Sequence, residues 1–196
     1  MTLCVFQGTF NPIHKVHLKV AEYALEHYGF DKIIFIPAYI PPHKDVESEL
    51  AQHRLNMVKL AIENNKRFEV SDIEYRRTGN SYTYLTILEL RKIYGEDKIN
   101  FLIGTDAFEK IETWYETDKL KELLHFIVFP RCDKFEKNDF EYLRLKGYDF
   151  EFASMDYIDV SSTEVRDNLN NGKGINNLEI PKVAEYIKEH GLYKMA

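Results

Sequence analysis

Residues 3–25, LCVFQGTFNPIHKVHLKVAEYAL, decide how the rest of the chain is read. Leu3 to Phe6 is an apolar, β-prone run too short for anything but a strand. Gly8 permits a tight turn or a close backbone approach to a ligand. Asn11 and Pro12 are turn and helix-start residues. From about Ile13 the pattern turns helical: Leu18, Ala21, Leu25 and Tyr28 form one apolar stripe, widened by Val20 and Ala24. His14 and His17 stand three apart and share one side of the first turn. A strand, a glycine turn and a helix N-terminus bearing two imidazoles make a site for a phosphate, because first-turn amides are unpaired and carry partial positive charge. Alone, the stretch reads equally well as an ordinary first strand and helix with two surface histidines, so the remaining chain decides.

The chain has 196 residues, enough for one domain that buries a proper core. Its net charge of −6 argues against wrapping a nucleic-acid backbone, while leaving small anionic substrates open, since these need only local positive potential. Cys4 and Cys132 are far apart and form no metal-ligand spacing, as expected of reduced thiols in a cytosolic protein. No basic leader precedes a long apolar stretch, so neither a signal peptide nor a membrane span is expected, and a cytoplasmic protein is.

Further strands are predicted at Lys32–Pro37, Phe68–Ile73, Lys98–Ile103, His125–Pro130 and Asp149–Phe152. Between them, Ser48–Glu63 reads as a helix with Leu50, Leu55, Met57, Val58, Ala61 and Ile62 on its buried side. A helix begins near Thr83, capped by Ser81 or Thr83 and packed through Leu85, Leu88 and Ile93. Asn138–Lys146 is helical, and a last helix covers Pro181–Glu189 with proline at its first position. Strands alternating with helices predict an α/β fold, a Rossmann-like doubly wound, mostly parallel sheet with helices on both faces. Turns at the strand C-termini then converge on one edge.

Several of those turns carry chemistry. The Pro41-Pro42 pair forces an extended loop that ends in His43 and Lys44. Gly104-Thr105-Asp106 is a second strand-to-helix turn, whose aspartate either caps the helix or accepts hydrogen bonds from a ribose. Trp114 is flanked by acids, so it is either a core ring or a half-exposed one able to stack on a planar ligand. Ser161-Ser162-Thr163 opens a helix with Arg166 one turn in, and Gly172 and Gly174 end it. Ser161 to Glu164 spells a capping box, and the same residues read as a second anion cradle. The segment 161–196 is thus a helical C-terminal part of a single domain, 1–196, carrying the second phosphate motif.

With these pieces in view, GTFNPIHKVH resembles the glycine-rich two-histidine signature of the nucleotidyltransferases, and SSTEVR resembles their S-S-T-x-x-R helix. Within that superfamily, PPHK at 41–44, the run from Arg77 to Thr83, GTDAF at 104–108 and TWYE at 113–116 are similar to bacterial nicotinate-nucleotide adenylyltransferase. The resemblance implies adenylyl transfer from ATP, with Mg²⁺, to nicotinate mononucleotide, in the nucleotidylyl transferase fold. It implies that His14 and His17 contact the phosphates and that Gly8, Thr9 and Phe10 line the nucleotide cleft. Lys44 would meet phosphate with His43 beside it, and Ser162, Thr163 and Arg166 would hold the β- and γ-phosphates. Gly104 and Asp106 would contact adenosine, while Thr83 and Trp114 would hold the nicotinate ring.

The chain departs from the family pattern at Gln7, Asn11 and Val16, which stand where a glycine, an aspartate and a glycine are usual. Val16 either packs its Cβ into the sheet or turns it toward ATP, where it would weaken binding. Rival readings are an adenylyltransferase for nicotinamide mononucleotide or phosphopantetheine, a cytidylyltransferase, and a non-catalytic nucleotide-binding module. A tRNA synthetase fragment shares the two-histidine logic, but no KMSKS-like loop is present. The expected partners are ATP and nicotinate mononucleotide, with no nucleic acid or membrane, and a homo-oligomer is left open.

Overall fold

The computed structural model describes residues 1–43, 48–173 and 180–194. Lys44 and Gly174, both singled out above, lie outside the described residues. Six strands, β1 (Leu3–Gly8), β2 (Lys32–Pro37), β3 (Phe68–Val70), β4 (Ile99–Gly104), β5 (Leu124–Phe129) and β6 (Asp149–Phe152), form one sheet in the order β3-β2-β1-β4-β5-β6. Every pairing is parallel. The α-helices are α1 (Lys15–Tyr28), α2 (Ala51–Ile62), α3 (Thr83–Tyr94), α4 (Thr105–Phe108), α5 (Thr117–Leu120), α6 (Glu141–Leu145), α7 (Ser162–Asn170) and α8 (Pro181–Glu189).

Strand alternation splits the core into two layers. Cys4, Phe6, Ile33, Phe35, Leu102 and Ile127 face one way and pack with Val20, Ala24 and Leu25 of α1, Met57, Val58 and Ile62 of α2, Val165 of α7 and Val183 and Ile187 of α8. Val5, Ile34, Ile36, Phe101, Ile103, Phe126 and Val128 face the other way, toward Ile87 and Leu90 of α3, Phe108 of α4, Leu120 of α5 and Leu143 of α6. The sheet is doubly wound. Val16 is buried in the first layer, 7% exposed, so its Cβ packs against the core.

Three local expectations are corrected. The third strand stops at Val70 instead of Ile73, because the Ser71 hydroxyl accepts the Ile73 N–H and turns the chain into a 3-10 turn at Ile73–Arg76. On α3, Thr86, Ile87 and Leu90 are buried, whereas Ile93 is 64% exposed; the stripe sits out of phase with the predicted one because a buried threonine belongs to it. The N-cap of α3 is Tyr82; Ser81 instead accepts the Tyr39 and Ile40 amides at 3.0 and 2.9 Å, pinning the loop after β2. Among the described residues no helix is long and apolar enough to cross a membrane.

Candidate active site

The strand order reverses between β1 and β4, and the chain connections leave those two neighbouring strands toward opposite sides, opening a crevice at their C-terminal ends. Gly8 ends β1 and Gly104 ends β4, and both line a cleft of about 1280 Å³. A Cβ on Gly8 would lie 3.0 Å from the Phe10 ring, and one on Gly104 would lie 2.4 Å from Arg131 Cγ and 2.7 Å from Asp106 Oδ1. The glycines are required by what crowds against them. Phe10 adopts a left-handed backbone, φ 48°, which costs a bulky residue energy and is held by ring packing on Phe6, Phe35 and His17.

His14 is the N-cap of α1, and its backbone N–H donates to His17 Nδ1 at 3.1 Å. His17 lines the cleft. The two imidazoles stack at 3.8 Å. His14 does not line the cleft in this structure: it is 1% exposed, lies behind His17, and neither of its ring nitrogens has a hydrogen-bond partner. Burial pushes its pKa down from 6.5 to about 4, and the charge of Arg131 acts in the same direction, so the ring is neutral near pH 7.

The start of α7 docks on the loop after β1. Ser161 caps the helix, its hydroxyl accepting the Glu164 N–H at 3.1 Å. Ser162 Oγ donates to Pro12 O at 3.0 Å, and Arg166 Nη1 donates to Asn11 O at 2.6 Å while Nη2 donates to Thr163 Oγ1 at 3.2 Å. Tyr193 adds a hydrogen bond to Asn11 Oδ1 at 2.5 Å. Ser162, Thr163 and Arg166 therefore line the same cleft as Gly8, Thr9, Phe10 and His17. Two helix N-termini separated by about three-quarters of the chain meet over one space.

Opposite, Asp106 lies in the first turn of the four-residue helix α4, where Oδ1 accepts the Ala107 N–H at 2.9 Å and Oδ2 lies 3.8 Å from Arg131 Nε. The Trp114 ring is half-buried, edge-on to Phe101 at 6.2 Å and nearly parallel to His43 at 6.4 Å. His43, Thr83 and Trp114 line the far end of the cleft. Its described lining holds four cationic side chains (Lys110, Arg131, Arg166 and Lys194) against the carboxylates of Asp106 and Asp167. Local positive potential thus prevails there on a chain whose net charge is −6.

Three further residues, Arg131, Arg54 and Glu74, support or line the site without a sequence motif of their own. Arg131 follows β5, donates its backbone N–H to Thr105 Oγ1 at 2.9 Å and reaches into the cleft; its place just beyond a strand C-terminus was a readable signal. Arg54 carries no such signal. It is 0% exposed and donates to the carbonyls of Thr9 (2.8 Å), Ala38 (2.6 Å) and Tyr39 (3.1 Å), with no carboxylate pairing it among the described residues. Glu74, 1% exposed, accepts from Gln7 Nε2 and from Thr86 Oγ1 at 2.8 Å. A charged residue defaults to solvent in any reading of sequence alone.

Residues 5–168 match the model of the cytidylyltransferase-like family. The chain is similar to the probable nicotinate-nucleotide adenylyltransferase of Fusobacterium nucleatum, 39% identical over 96% of this chain and 98% of that protein. It is likewise 37% identical to the nicotinate-nucleotide adenylyltransferase of Bacillus subtilis, over 97% of both chains. The chain belongs to the nicotinate-nucleotide adenylyltransferase family. Its fold is also that of a Plasmodium falciparum nicotinic acid mononucleotide adenylyltransferase solved in complex with NaAD, with a TM-score of 0.81 at 22% identity over 98% of this chain and 97% of the other. In this family it is a nucleotidyltransferase, and the cleft between the starts of α1 and α7 is where its chemistry is sought.

Proposed function

We propose that the protein transfers the adenylyl group of ATP to nicotinate mononucleotide, giving deamido-NAD and pyrophosphate in NAD biosynthesis. The observation that carries this reading is the convergence of His17 and the Ser162–Arg166 helix start on one cationic cleft, next to an aromatic pocket formed by His43 and Trp114. The acceptor phosphate is already ionised and attacks the α-phosphorus, and the bond from that phosphorus to the α,β-bridging oxygen breaks. No general base is needed. Catalysis then consists of alignment and of donors aimed at charge on the α-phosphate and the departing pyrophosphate.

In this reading His17 meets the reacting phosphates, and His14 stacks behind it, supporting its ring from the core side. Arg166, with the amides of Ser162 and Thr163, holds the β- and γ-phosphates, and Lys44, outside the described residues, is the further cation that the family resemblance assigns to phosphate. Gly8, Thr9 and Phe10 receive the nucleotide, and Gly104 and Asp106 receive adenosine. The start of α3, with Thr83 at its first position, lies beside the substituent of the pyridine ring, with Trp114 and His43 against the ring. Mg²⁺ would come with ATP and would neutralise charge on the phosphates beside Arg166 and the α7 amides; among the described residues no three His, Cys, Asp or Glu side chains are grouped to hold a metal of their own. The chain acts as a single domain, 1–196, in the cytoplasm, and both cysteines are free thiols.

The test is incubation with Mg²⁺-ATP and each candidate acceptor, with the products resolved. Deamido-NAD well above NAD supports the proposal. Dominant NAD or dephospho-coenzyme A overturns the acceptor, and nucleotide binding without turnover overturns the activity.

A further inference from the structure

A chain of hydrogen bonds runs from the cleft wall into the core. Thr83 Oγ1 donates to Gln7 Oε1 at 2.6 Å, and Gln7 Nε2 donates to Glu74 Oε1. Glu74 also accepts from Thr86 Oγ1 at 2.8 Å, and Thr86 in turn accepts from Arg77 Nη2 at 2.9 Å. Thr83 and Gln7 line the cleft, and Glu74 is sealed beneath them.

The direction of each bond follows from donor and acceptor inventory. An ionised carboxylate can only accept, so the Gln7 amide must turn its nitrogen inward. Its oxygen then faces Thr83, whose hydroxyl must spend its single proton on Gln7. What Thr83 presents to the cleft is lone pairs, which suit a donor on the ligand and repel a carboxylate. A proton on Glu74 Oε1 reverses the two bonds toward the cleft, while Thr86 and Arg77 keep their directions: the carboxyl donates to Gln7 Oε1, Gln7 Nε2 donates to Thr83 Oγ1, and the threonine proton is released toward the cleft. No atom moves further than an amide rotation.

We propose that Glu74 is a specificity-determining positioning residue, acting through Gln7 on the Thr83 hydroxyl to decide whether the site favours a carboxylate or a carboxamide on the pyridine ring. This rests on the functional reading above, which puts that substituent against Thr83. Burial raises the Glu74 carboxyl from 4.5 to about 7, while the Thr86 and Ser81 hydroxyls, the Arg77 guanidinium and the Tyr39 backbone amide hold it down. The charged and titratable groups facing it are Arg77 beyond its own turn, Arg54 from α2 and its neighbour Tyr75; Glu89 of α3 is paired with Arg77 at 2.7 Å. Glu74 is thus able to change protonation state in the range where the enzyme works.

The experiment is the ratio of kcat/KM for nicotinate mononucleotide over nicotinamide mononucleotide between pH 6.0 and 8.5. The acceptor phosphate titrates in both substrates and cancels in the ratio. The ratio should rise about tenfold from pH 8.5 to pH 6.0, the scale of one hydrogen bond to a charged group. Glu74→Gln should leave it independent of pH. Gln7→Met cuts the relay but keeps the carboxyl, and should also flatten the profile, which keeps the test alive if Glu74→Gln does not fold. A flat wild-type ratio, or a Gln7→Met profile as steep as wild type, overturns the relay. If neither mononucleotide is adenylylated at any pH, it is the parent reading that fails.

Discussion

Of the two imidazoles, His17 is the one that lines the cleft, and the proposed reaction sets the phosphates against it. His17→Ala should lower kcat by about 10²–10³, as loss of one preorganised donor does elsewhere. The cost to folding should be on the order of 1–3 kcal/mol, because the bond accepting the His14 N–H is lost together with the ring's packing on His14, Phe6 and Phe10. Steady-state kinetics beside a thermal melt separates the two, and near-normal turnover would remove His17 from the reaction. Gly104→Ala tests the cleft floor: its Cβ must displace Arg131 Cγ and Asp106 Oδ1. KM for ATP should rise roughly tenfold or more with little change in melting temperature; an unchanged KM would mean that those two side chains do not touch the nucleotide. His14 has a pH signature. Its folded pKa of about 4 lies below its ordinary 6.5, so the unfolded chain takes up the proton first and stability falls as pH drops from about 6.5 toward 4. The loss is on the order of 3 kcal/mol. Glu74 works in the opposite sense, contributing stability below 4.5 that is lost as pH rises through 7. The informative quantity is therefore the difference in unfolding free energy between wild type and His14→Ala at pH 7 and pH 4, and parallel pH profiles would contradict the assignment.

At the scale of elements, the site depends on two loops and one helix being held in register. Arg54 ties the loops after β1 and β2 together through three carbonyls. Arg54→Leu leaves those acceptors unpaired and should cost about 2–4 kcal/mol, a drop in melting temperature of roughly 4–16 °C, with a raised KM for ATP. A variant that melts like wild type would show that the loops hold without it. The sequence disclosed the elements that matter most here. The strand-glycine-helix start at 3–25 and the Ser-x-x-Glu start at Ser161 are local signals, and α8 occupies the predicted span Pro181–Glu189. What stayed hidden is what depends on tertiary burial. The phase of α3 differs from the apolar pattern because Thr86 is buried against Glu74, while Ile93, apolar by type, faces solvent. The early end of β3 came from one serine hydroxyl, a competition no periodicity reveals.

For the whole molecule, a doubly wound parallel sheet brings strand ends together whatever lies between them in sequence. That made the common location of the two motifs predictable from alternation alone, while the buried Arg54 and Glu74 beneath it were not. The central claim is geometric: the starts of α1 and α7 grip one triphosphate. Backbone amide shifts followed during titration with a non-hydrolysable ATP analogue and Mg²⁺ test it directly. Resonances of Lys15–His17 and of Ser162–Glu164 should move together and fit one shared Kd. Shifts confined to one helix start, or two unrelated Kd values, would contradict the account.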